Sequence, residues 1–269
     1  MPELPEVETI RRQLIPSIKG KRISRILLHT PSLLKNCNPA EFVEKLRDRT
    51  VLDLQRKGKF LIFDCNENLL VFHLGMSGIF LTRKNDSRYP QHIHLSLQFY
   101  SGENLYFQDV RKFGKIFLAG RPFNPKNLGT DPFDKKFTLH NFNKLINLSK
   151  KNIKQFLMEQ SNVAGIGNIY ANEILFRAGV SPFARCDELT SRQIRGLYRQ
   201  ILSVLNDAIE RFGTTYSAYR TVDGNAGQNQ HFLQVYQRKG APCSRCGKPI
   251  QKTYLANRST FYCTVCQKK

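Results

Sequence analysis

The first eighteen residues alternate between apolar and polar positions with the period of an α-helix. The apolar residues recur every three or four positions, which places them on one face of such a helix. They are Val7, Ile10, Leu14 and Ile18. Acidic residues crowd the start of this stretch, where the positive end of the helix dipole stabilises them. The pattern predicts an amphipathic helix near the beginning of the chain.

Between residues 21 and 119 the apolar residues come in short runs, separated by turn residues such as Lys57-Gly58. The runs cover residue 23 and residues 61–63, 69–72, 79–81, 95–99 and 105–107. One helix interrupts them, with Asn38 as its N-cap, Pro39 in first position and Glu41 completing a capping box. This spacing predicts an antiparallel β-sandwich of roughly 110 residues.

The period becomes helical in the second half of the chain. The clearest helix follows Thr190, has Gln193 as its capping-box partner and stops at Gly213. Two shorter helices are predicted over residues 152–160 and 168–178, joined by a turn over residues 161–167. A stretch rich in Pro, Asn and Gly separates the two halves. We therefore predict an α+β protein divided into residues 1–120, a linker at 121–136, a helical domain at 137–232 and a terminal segment at 233–269.

The chain is strongly cationic. It contains 42 Lys and Arg residues against 21 Asp and Glu, a formal net charge of +21, and 41% of its residues are hydrophobic. Such a composition can build a core, which excludes a disordered basic tail. No apolar stretch is long enough to cross a membrane, and no signal-peptide pattern opens the chain. We expect a soluble intracellular protein whose partner is a polyanion, most commonly a nucleic acid.

Four of the seven cysteines lie near the end of the chain as two CxxC pairs. They are Cys243, Cys246, Cys263 and Cys266. Two such pairs joined by a hairpin predict a structural zinc ion held by four thiolates, with no open position for water or substrate. The alternative is a pair of redox-active motifs, which the absence of a βαβ pattern disfavours. No spacing of His and Glu indicates a catalytic metal, so we expect one structural zinc ion and no catalytic metal.

Several motifs follow one another in a fixed order. They are PELPEVET at 2–9, HLGMSG at 73–78, DVRKFG at 109–114, AGIGNIY at 164–170, Val235-Tyr236 and the four-cysteine segment. In this combination the chain resembles the bacterial formamidopyrimidine-DNA glycosylases, from residue 2 to residue 267. The resemblance implies a catalytic N-terminal β-sandwich flanked by helices, then a helix–two-turn–helix domain and a four-cysteine β-hairpin zinc finger.

The resemblance also implies an activity and a partner. The enzyme would be a bifunctional glycosylase and AP lyase of base excision repair. It would release oxidised purines such as 8-oxoguanine and formamidopyrimidines, and then cut the strand by β,δ-elimination. Its substrate would be double-stranded DNA containing oxidised bases or abasic sites. The family leads us to expect a cytoplasmic, nucleoid-associated monomer.

By this resemblance the catalytic residues lie at the start of the chain. Removal of Met1 would leave Pro2 with a secondary α-amine, and α-amines have pKa values near ~8, below that of lysine. Such an amine attacks a sugar C1′, expels the base and forms an iminium. Glu3 would assist sugar ring opening and proton transfer, with Glu6 in support. The alternatives are a frayed terminus and helix-dipole complementarity, the latter worth only ~0.3–1 kcal/mol.

The resemblance assigns further residues to DNA. Lys59 follows a turn glycine and matches a catalytic lysine, although an ordinary surface lysine is the alternative. Arg258 lies between the cysteine pairs, where its planar fork would bind a phosphate in the active site. Asn168 opens a helix whose N–H groups form an anion site, unless it is a plain N-cap. The remaining predicted DNA contacts are His92, Arg111 and Lys154.

Met76, Arg111 and Phe113 resemble the trio that fills the hole left by an everted nucleotide. Removing a base from the stack costs a few kcal/mol, which an apolar wedge and an arginine facing the orphaned base would offset. Ordinary core packing is the alternative for the methionine and the phenylalanine. In the same hairpin region as Arg258, Asn257 stands where the family usually has glycine, and asparagine tolerates left-handed geometry well enough to keep the turn.

Two other functions remain open from the sequence. One is an endonuclease VIII-like glycosylase for oxidised pyrimidines, against which Leu4 argues because the pyrimidine-preferring relatives usually carry glycine there. The other is a zinc-stabilised DNA-binding protein without catalysis, which the charge and the cysteines fit equally well. Pro2, Glu3 and Lys59 argue against this second alternative.

Overall fold

The computed structural model describes residues 1–268, which form two compact units. The first unit comprises Met1–Pro125 and Ile209–Gln230, and the second Lys126–Ala208 and the chain from His231 onward. The helices are α1 (Leu4–Ile18), α2 (Pro39–Leu46), α3 (Leu139–Asn147), α4 (Ile153–Met158), α5 (Asn168–Ala178) and α6 (Ser191–Glu210). The strands are β1 (Ile23–Leu28), β2 (Asp53–Lys57), β3 (Phe60–Cys65), β4 (Asn68–His73), β5 (Gly78–Leu81), β6 (Ile93–Phe99), β7 (Asn104–Asp109), β8 (Lys115–Ala119), β9 (Gln251–Leu255) and β10 (Arg258–Tyr262).

Two four-stranded antiparallel sheets build the first unit. Their strand orders are β1-β6-β7-β5 and β2-β3-β4-β8, with every neighbouring pair antiparallel. The apolar runs predicted from the sequence fill the core, together with the buried face of α1. Val7, Ile10, Leu14 and Ile18 are all buried there. The predicted β-sandwich flanked by helices is therefore confirmed.

The capping box predicted at the start of α2 forms only in part. Asn38 caps α2 by accepting a hydrogen bond from the Glu41 backbone N–H at 2.9 Å. The reciprocal half of the predicted capping box does not form, because the Glu41 carboxylate pairs with Lys45 one turn later at 2.7 Å. An i,i+4 ion pair on the exposed face thus replaces the second cap bond.

The second unit is helical. Thr190 and Gln193 exchange the predicted capping-box hydrogen bonds at the start of α6. The N-cap of α5 is Gly167, in extended geometry, so Asn168 is the first helical residue and not the cap. Helix α3 begins after Thr138, whose hydroxyl accepts from the Asn141 N–H, and it has no counterpart among the predicted helices.

A two-stranded hairpin closes the second unit. Strands β9 and β10 pair in antiparallel register with Arg258 opposite Leu255. The two turn residues, Ala256 and Asn257, have φ values of 48° and 58°. Two successive residues with positive φ form the tight turn that matches the twist of a hairpin, and asparagine adopts this geometry readily. Arg258 is therefore the first strand residue after the tip.

Within the described part of the chain, no helix is both long and apolar enough to span a bilayer. The division of the chain at residues 120, 136 and 232 stays a prediction.

Candidate active site and nucleic-acid interface

The N-terminal carboxylates are fixed by the helix that follows them. Glu3 is the N-cap of α1, and its side chain accepts from the Glu6 backbone N–H. In return the Glu3 N–H donates to Glu6 Oε2 at 2.7 Å. Pro2, Glu3 and Glu6 are all buried, so this capping box sets the chain direction immediately after Pro2. Sequence reasoning found these residues, and the structure brings them together.

Glu6 also holds the segment that follows α6 in the same unit. Its Oε1 accepts from the Thr214 N–H at 2.8 Å. A Cβ on Gly213 would lie 2.9 Å from this oxygen, and Gly213 has a φ of +77°, so only glycine fits between the two. Tyr219 donates its hydroxyl proton to the Phe212 carbonyl at 3.0 Å, and burial raises the pKa of this phenol. Glu6 thus joins the start of α1 to the chain after α6.

A cavity of about 550 Å³ opens beside the chain start. Its lining includes Met1, Met76, Ser77, Tyr89, Arg111 and Arg220. A second cavity of about 360 Å³ is lined by Met1, Phe60, His73, Met76, Phe113 and Lys115, among others. Met1 is half-exposed and borders both cavities. The residue that precedes the buried Pro2 therefore lies in open space large enough for a nucleotide.

Lys59 and His73 lie at the same end of the second sheet, and His73 lines the second cavity. Lys59 is buried in the turn between β2 and β3, one residue before Phe60, which pairs with His73 across β3 and β4. Burial, reinforced by the charges of Lys59 and Lys115, lowers the pKa of His73 to about 4. The Gly75 N–H donates to His73 Nδ1 at 3.2 Å, which leaves the proton on Nε2. Neutral His73 therefore adds no competing charge beside Lys59.

The predicted wedge residues are exposed. Met76 is 38% and Phe113 49% exposed, which excludes core packing as their role. The Arg111 guanidinium lies over the Phe113 ring, 4.7 Å from its centroid. Stacking of this kind orients a planar cation without burying it. His92 is half-buried and ends a short 3₁₀ turn, Pro90–His92, with its ring 6.4 Å from that of His94.

In the second unit a polar network joins α4 and α5 to the hairpin. Lys154 is 1% exposed, and its Nζ donates to the Ser259 carbonyl and to Thr260 Oγ1, both at 2.8 Å. Asn168 Nδ2 donates to Ser259 Oγ at 3.2 Å. Arg258 is exposed one residue earlier. Lys154 is buried against the hairpin, and the DNA contact predicted for it stays a prediction.

The four predicted zinc ligands converge. Their Sγ atoms all lie within 4.8 Å of one another, with Cys243 and Cys266 at 3.8 Å and Cys246 and Cys263 at 3.5 Å. A tetrahedron with Zn–S bonds of about 2.3 Å has sulfur–sulfur edges of about 3.8 Å. Backbone N–H groups of residues 245 and 266 point at two of the sulfurs, as thiolate ligands require. The donor set fits a structural zinc ion.

Two buried charged groups beside these sites were missed by sequence reasoning. Glu8 on α1 accepts from Arg56, whose guanidinium also donates to the Gly58 carbonyl in the turn that carries Lys59. Burial raises the pKa of Glu8, but its bonds with arginines outweigh this and leave the pKa lowered. Glu173 on α5 accepts three backbone N–H bonds from residues 234–236. Glu173 has no local sequence signal, because its partners come from a distant segment. Glu8 also binds Arg11 and Arg12 within α1, and only its bond with Arg56 joins it to a distant segment.

A β-sandwich unit with capped N-terminal carboxylates, together with a helical unit that carries a four-cysteine hairpin, defines the class of protein. It is an α+β protein with a helix–two-turn–helix element and a zinc finger. Three family models match the chain. They describe the formamidopyrimidine-DNA glycosylase N-terminal domain at residues 1–116, the formamidopyrimidine-DNA glycosylase H2TH domain at 128–220, and a zinc finger found in FPG and IleRS at 240–269.

Individual proteins agree with these matches. The formamidopyrimidine-DNA glycosylase of Bacillus licheniformis is 38% identical over 275 residues and covers all of both chains. A Lactococcus lactis FPG mutant bound to Fapy-dG-containing DNA superposes with a TM-score of 0.92 at 36% identity, over the full length of both chains. The Lactococcus lactis Fpg in complex with abasic-site DNA superposes with a TM-score of 0.89 at 36% identity, over 99% of this chain and 100% of that chain. This chain belongs to the formamidopyrimidine-DNA glycosylase family.

Proposed function

We propose that this protein is a bifunctional DNA glycosylase and AP lyase of base excision repair, acting on oxidised purines in duplex DNA. The observation that carries the proposal is the capped, buried start of α1 beside a cavity of about 550 Å³, in a chain of this family. Relatives that match the full chain are named formamidopyrimidine-DNA glycosylase, and solved relatives hold Fapy-dG or abasic-site DNA. These names support formamidopyrimidines as substrates, and the family resemblance implies 8-oxoguanine as well.

The nucleophile is the Pro2 nitrogen once Met1 has been removed. While Met1 is attached this nitrogen is an amide without a basic lone pair, and its removal leaves a secondary amine. The amine attacks C1′ of the damaged nucleotide, the base departs with a proton, and the C1′–O4′ bond opens to give an iminium. Glu3, adjacent to Pro2, exchanges the proton with O4′. Two eliminations then break the C3′–O and C5′–O bonds, and addition of water to the iminium releases the sugar remnant as an aldehyde and regenerates the amine.

The other predicted site residues hold the DNA in this pose. Lys59, Asn168 and Arg258 bind phosphates, and His92 and Lys154 add further DNA contacts. Lys154 also supports the hairpin beside Arg258. Met76, Arg111 and Phe113 fill the space vacated by the everted nucleotide, with Arg111 also contacting the orphaned base. Glu6 supports Glu3 through the capping box. The zinc ion stiffens the hairpin and takes no part in bond breaking.

Its setting follows from the same proposal. The protein acts as a cytoplasmic, nucleoid-associated monomer, since its substrate is chromosomal DNA and one chain supplies every predicted site residue. Residues 1–120 carry the chemistry, residues 121–136 link them to a DNA-binding helical domain at 137–232, and residues 233–269 form the zinc finger.

Single-turnover cleavage of two lesion duplexes tests the proposal. The processed protein is expected to cut an 8-oxoguanine strand faster than a thymine-glycol strand, and Pro2→Gly is expected to cut the former more slowly. An exposed-site variant, Glu188→Gln, serves as the control that keeps the wild-type rate. Faster cutting of thymine glycol would identify a pyrimidine-specific enzyme. Tight binding of both duplexes without any cleavage would identify a non-catalytic DNA-binding protein.

A further inference from the structure

One buried carboxylate organises the two segments that carry the wedge residues. Asp109 ends β7, and its carboxylate is 0% exposed. It accepts from the Gly114 N–H at 2.6 Å, from the Arg111 N–H at 3.2 Å and from the Ser77 hydroxyl. The Arg111 N–H is shared with Ser77 Oγ at 3.1 Å. Three donors from two separate segments therefore converge on a single carboxylate.

The two segments also touch each other directly. Gly75 has a φ of +60°, and a Cβ there would lie 2.4 Å from the Phe113 carbonyl carbon. Gly78 pairs with Asp109 at the end of the β5–β7 ladder. Since glycine is needed for this approach, residues 74–78 and 109–114 form one packed body.

The backbone of Asp109 is held from the opposite side. Buried His94 donates from Nε2 to the Asp109 carbonyl at 2.8 Å, and its Nδ1 forms a hydrogen bond with the Thr30 hydroxyl at 2.8 Å. A carbonyl oxygen can only accept, so Nε2 is the donor of the bond to Asp109. The carbonyl and the carboxylate of one residue are thus both engaged. Such an anchor keeps its geometry when the exposed side chains nearby meet a ligand.

We propose that Asp109 is a positioning residue that assembles Met76, Arg111 and Phe113 into a preformed wedge before DNA arrives. This inference rests on the function proposed above. Met76 and Phe113 stay exposed although burial of apolar surface is favourable, so their segments need an anchor that prevents collapse. A preformed wedge also avoids the entropy cost of ordering two loops during base eversion. Asp109 itself touches no substrate in this arrangement.

The proposal predicts a difference between substrates. Eversion from a duplex needs the wedge, whereas an abasic site in a single strand leaves no stack to fill. Asp109→Asn places an amide against donors and is expected to slow single-turnover cleavage of an 8-oxoguanine duplex about tenfold or more, the effect of losing one charge-assisted hydrogen bond. Borohydride trapping on a single-stranded abasic oligonucleotide is expected to keep the wild-type rate. Ser77→Ala removes one donor, creates no buried charge and is expected to give a smaller loss of the same kind.

The matched control is Asp53→Asn, a partly exposed aspartate of the same unit whose carboxylate pairs with Lys19 at 3.0 Å. It is expected to match wild type on both substrates. Circular dichroism of each variant checks that it folds. If Asp109→Asn does not fold, the comparison of the two substrates is made with Ser77→Ala instead. Equal losses on both substrates, or no loss on the duplex, would overturn the proposal. Absence of a trapped adduct in the wild-type protein would instead refute the proposed function.

Discussion

Loss of the Glu173 carboxylate is expected to loosen the second unit, because three backbone donors, one buried and two partly buried, depend on it. Glu173 Oε1 accepts from the N–H groups of Val235 at 3.0 Å and Tyr236 at 2.8 Å, and Oε2 accepts from Gln234 at 2.8 Å. A buried N–H left without a partner costs about 1–3 kcal/mol. Glu173→Ala strands three donors, so its free energy of unfolding should fall by at least about 3 kcal/mol.

Glu173→Gln distinguishes the contribution of Oε1 to stability from that of Oε2. With its amide oxygen in place of Oε1, glutamine keeps the bonds from Val235 and Tyr236, and only the Gln234 N–H then faces an amide nitrogen. The loss should therefore be about 1–3 kcal/mol, less than for alanine. An exposed glutamate of the same unit, Glu188, provides the control, and Glu188→Ala should change stability by less than about 0.5 kcal/mol.

Urea unfolding of the zinc-loaded protein measures these differences. The chain contains no tryptophan, so circular dichroism at a helical wavelength is the appropriate signal. Because Glu173 lies on the helix that begins with Asn168, the alanine variant should also bind duplex DNA more weakly. Equal stability of the alanine and glutamine variants, or an alanine variant as stable as the control, would refute the reasoning.

Three further predictions follow from particular residues. Cys263→Ala leaves three thiolates, so the purified protein should retain far less than the one zinc equivalent expected of wild type by elemental analysis; full retention would contradict the four-thiolate site. The pKa of His73 is about 4 in the folded protein and ~6.5 in the unfolded chain, so the unfolded chain binds the proton first as the pH falls. Acidification from pH 7 to 5 should therefore lower the free energy of unfolding by about 2 kcal/mol through this group. In His73→Gln, the midpoint of urea unfolding should fall less between pH 7 and pH 5 than it does in the wild type. An equal fall in both proteins would contradict this prediction. Gly75→Ala should lower the free energy of unfolding by at least about 2 kcal/mol, because the added Cβ meets the Phe113 backbone. Gly102→Ala, where nothing lies near the added Cβ, should lower it by only about 1 kcal/mol. Equal decreases for the two variants, measured by urea unfolding, would contradict this.

Strong local signals predicted most of the elements. The apolar stripe of α1, the Asn38 cap and the Thr190–Gln193 box each depend on residues within one or two turns, and all formed. Strand β2 was not singled out because Leu54 is its one apolar residue. Strand β8 was overlooked although its residues 116–118 are apolar. Helix α3 buries only Phe142 and Ile146, which is too short a stripe to detect.

The site was predictable where a motif carried it and not where distant chain segments meet. Met76 and Phe113 are hydrophobic, which on its own favours core packing, but both are exposed. Their exposure agrees instead with the role implied by the motifs, in which they fill the space left by an everted nucleotide. Burial of Lys154 depends on hydrogen bonds to residues more than a hundred positions away, which no local pattern encodes. Helix α5 begins at Asn168 as predicted, but its N-cap is Gly167, where the backbone is extended.

The identity of the nitrogen that bonds to the sugar tests the central claim most directly. Borohydride reduction of the processed protein on an 8-oxoguanine duplex, followed by proteolysis and mass spectrometry, locates the adduct. We expect a single modified peptide that begins with Pro2 and carries the sugar on its α-nitrogen. An adduct on the side chain of Lys59, or on any other lysine, would contradict it.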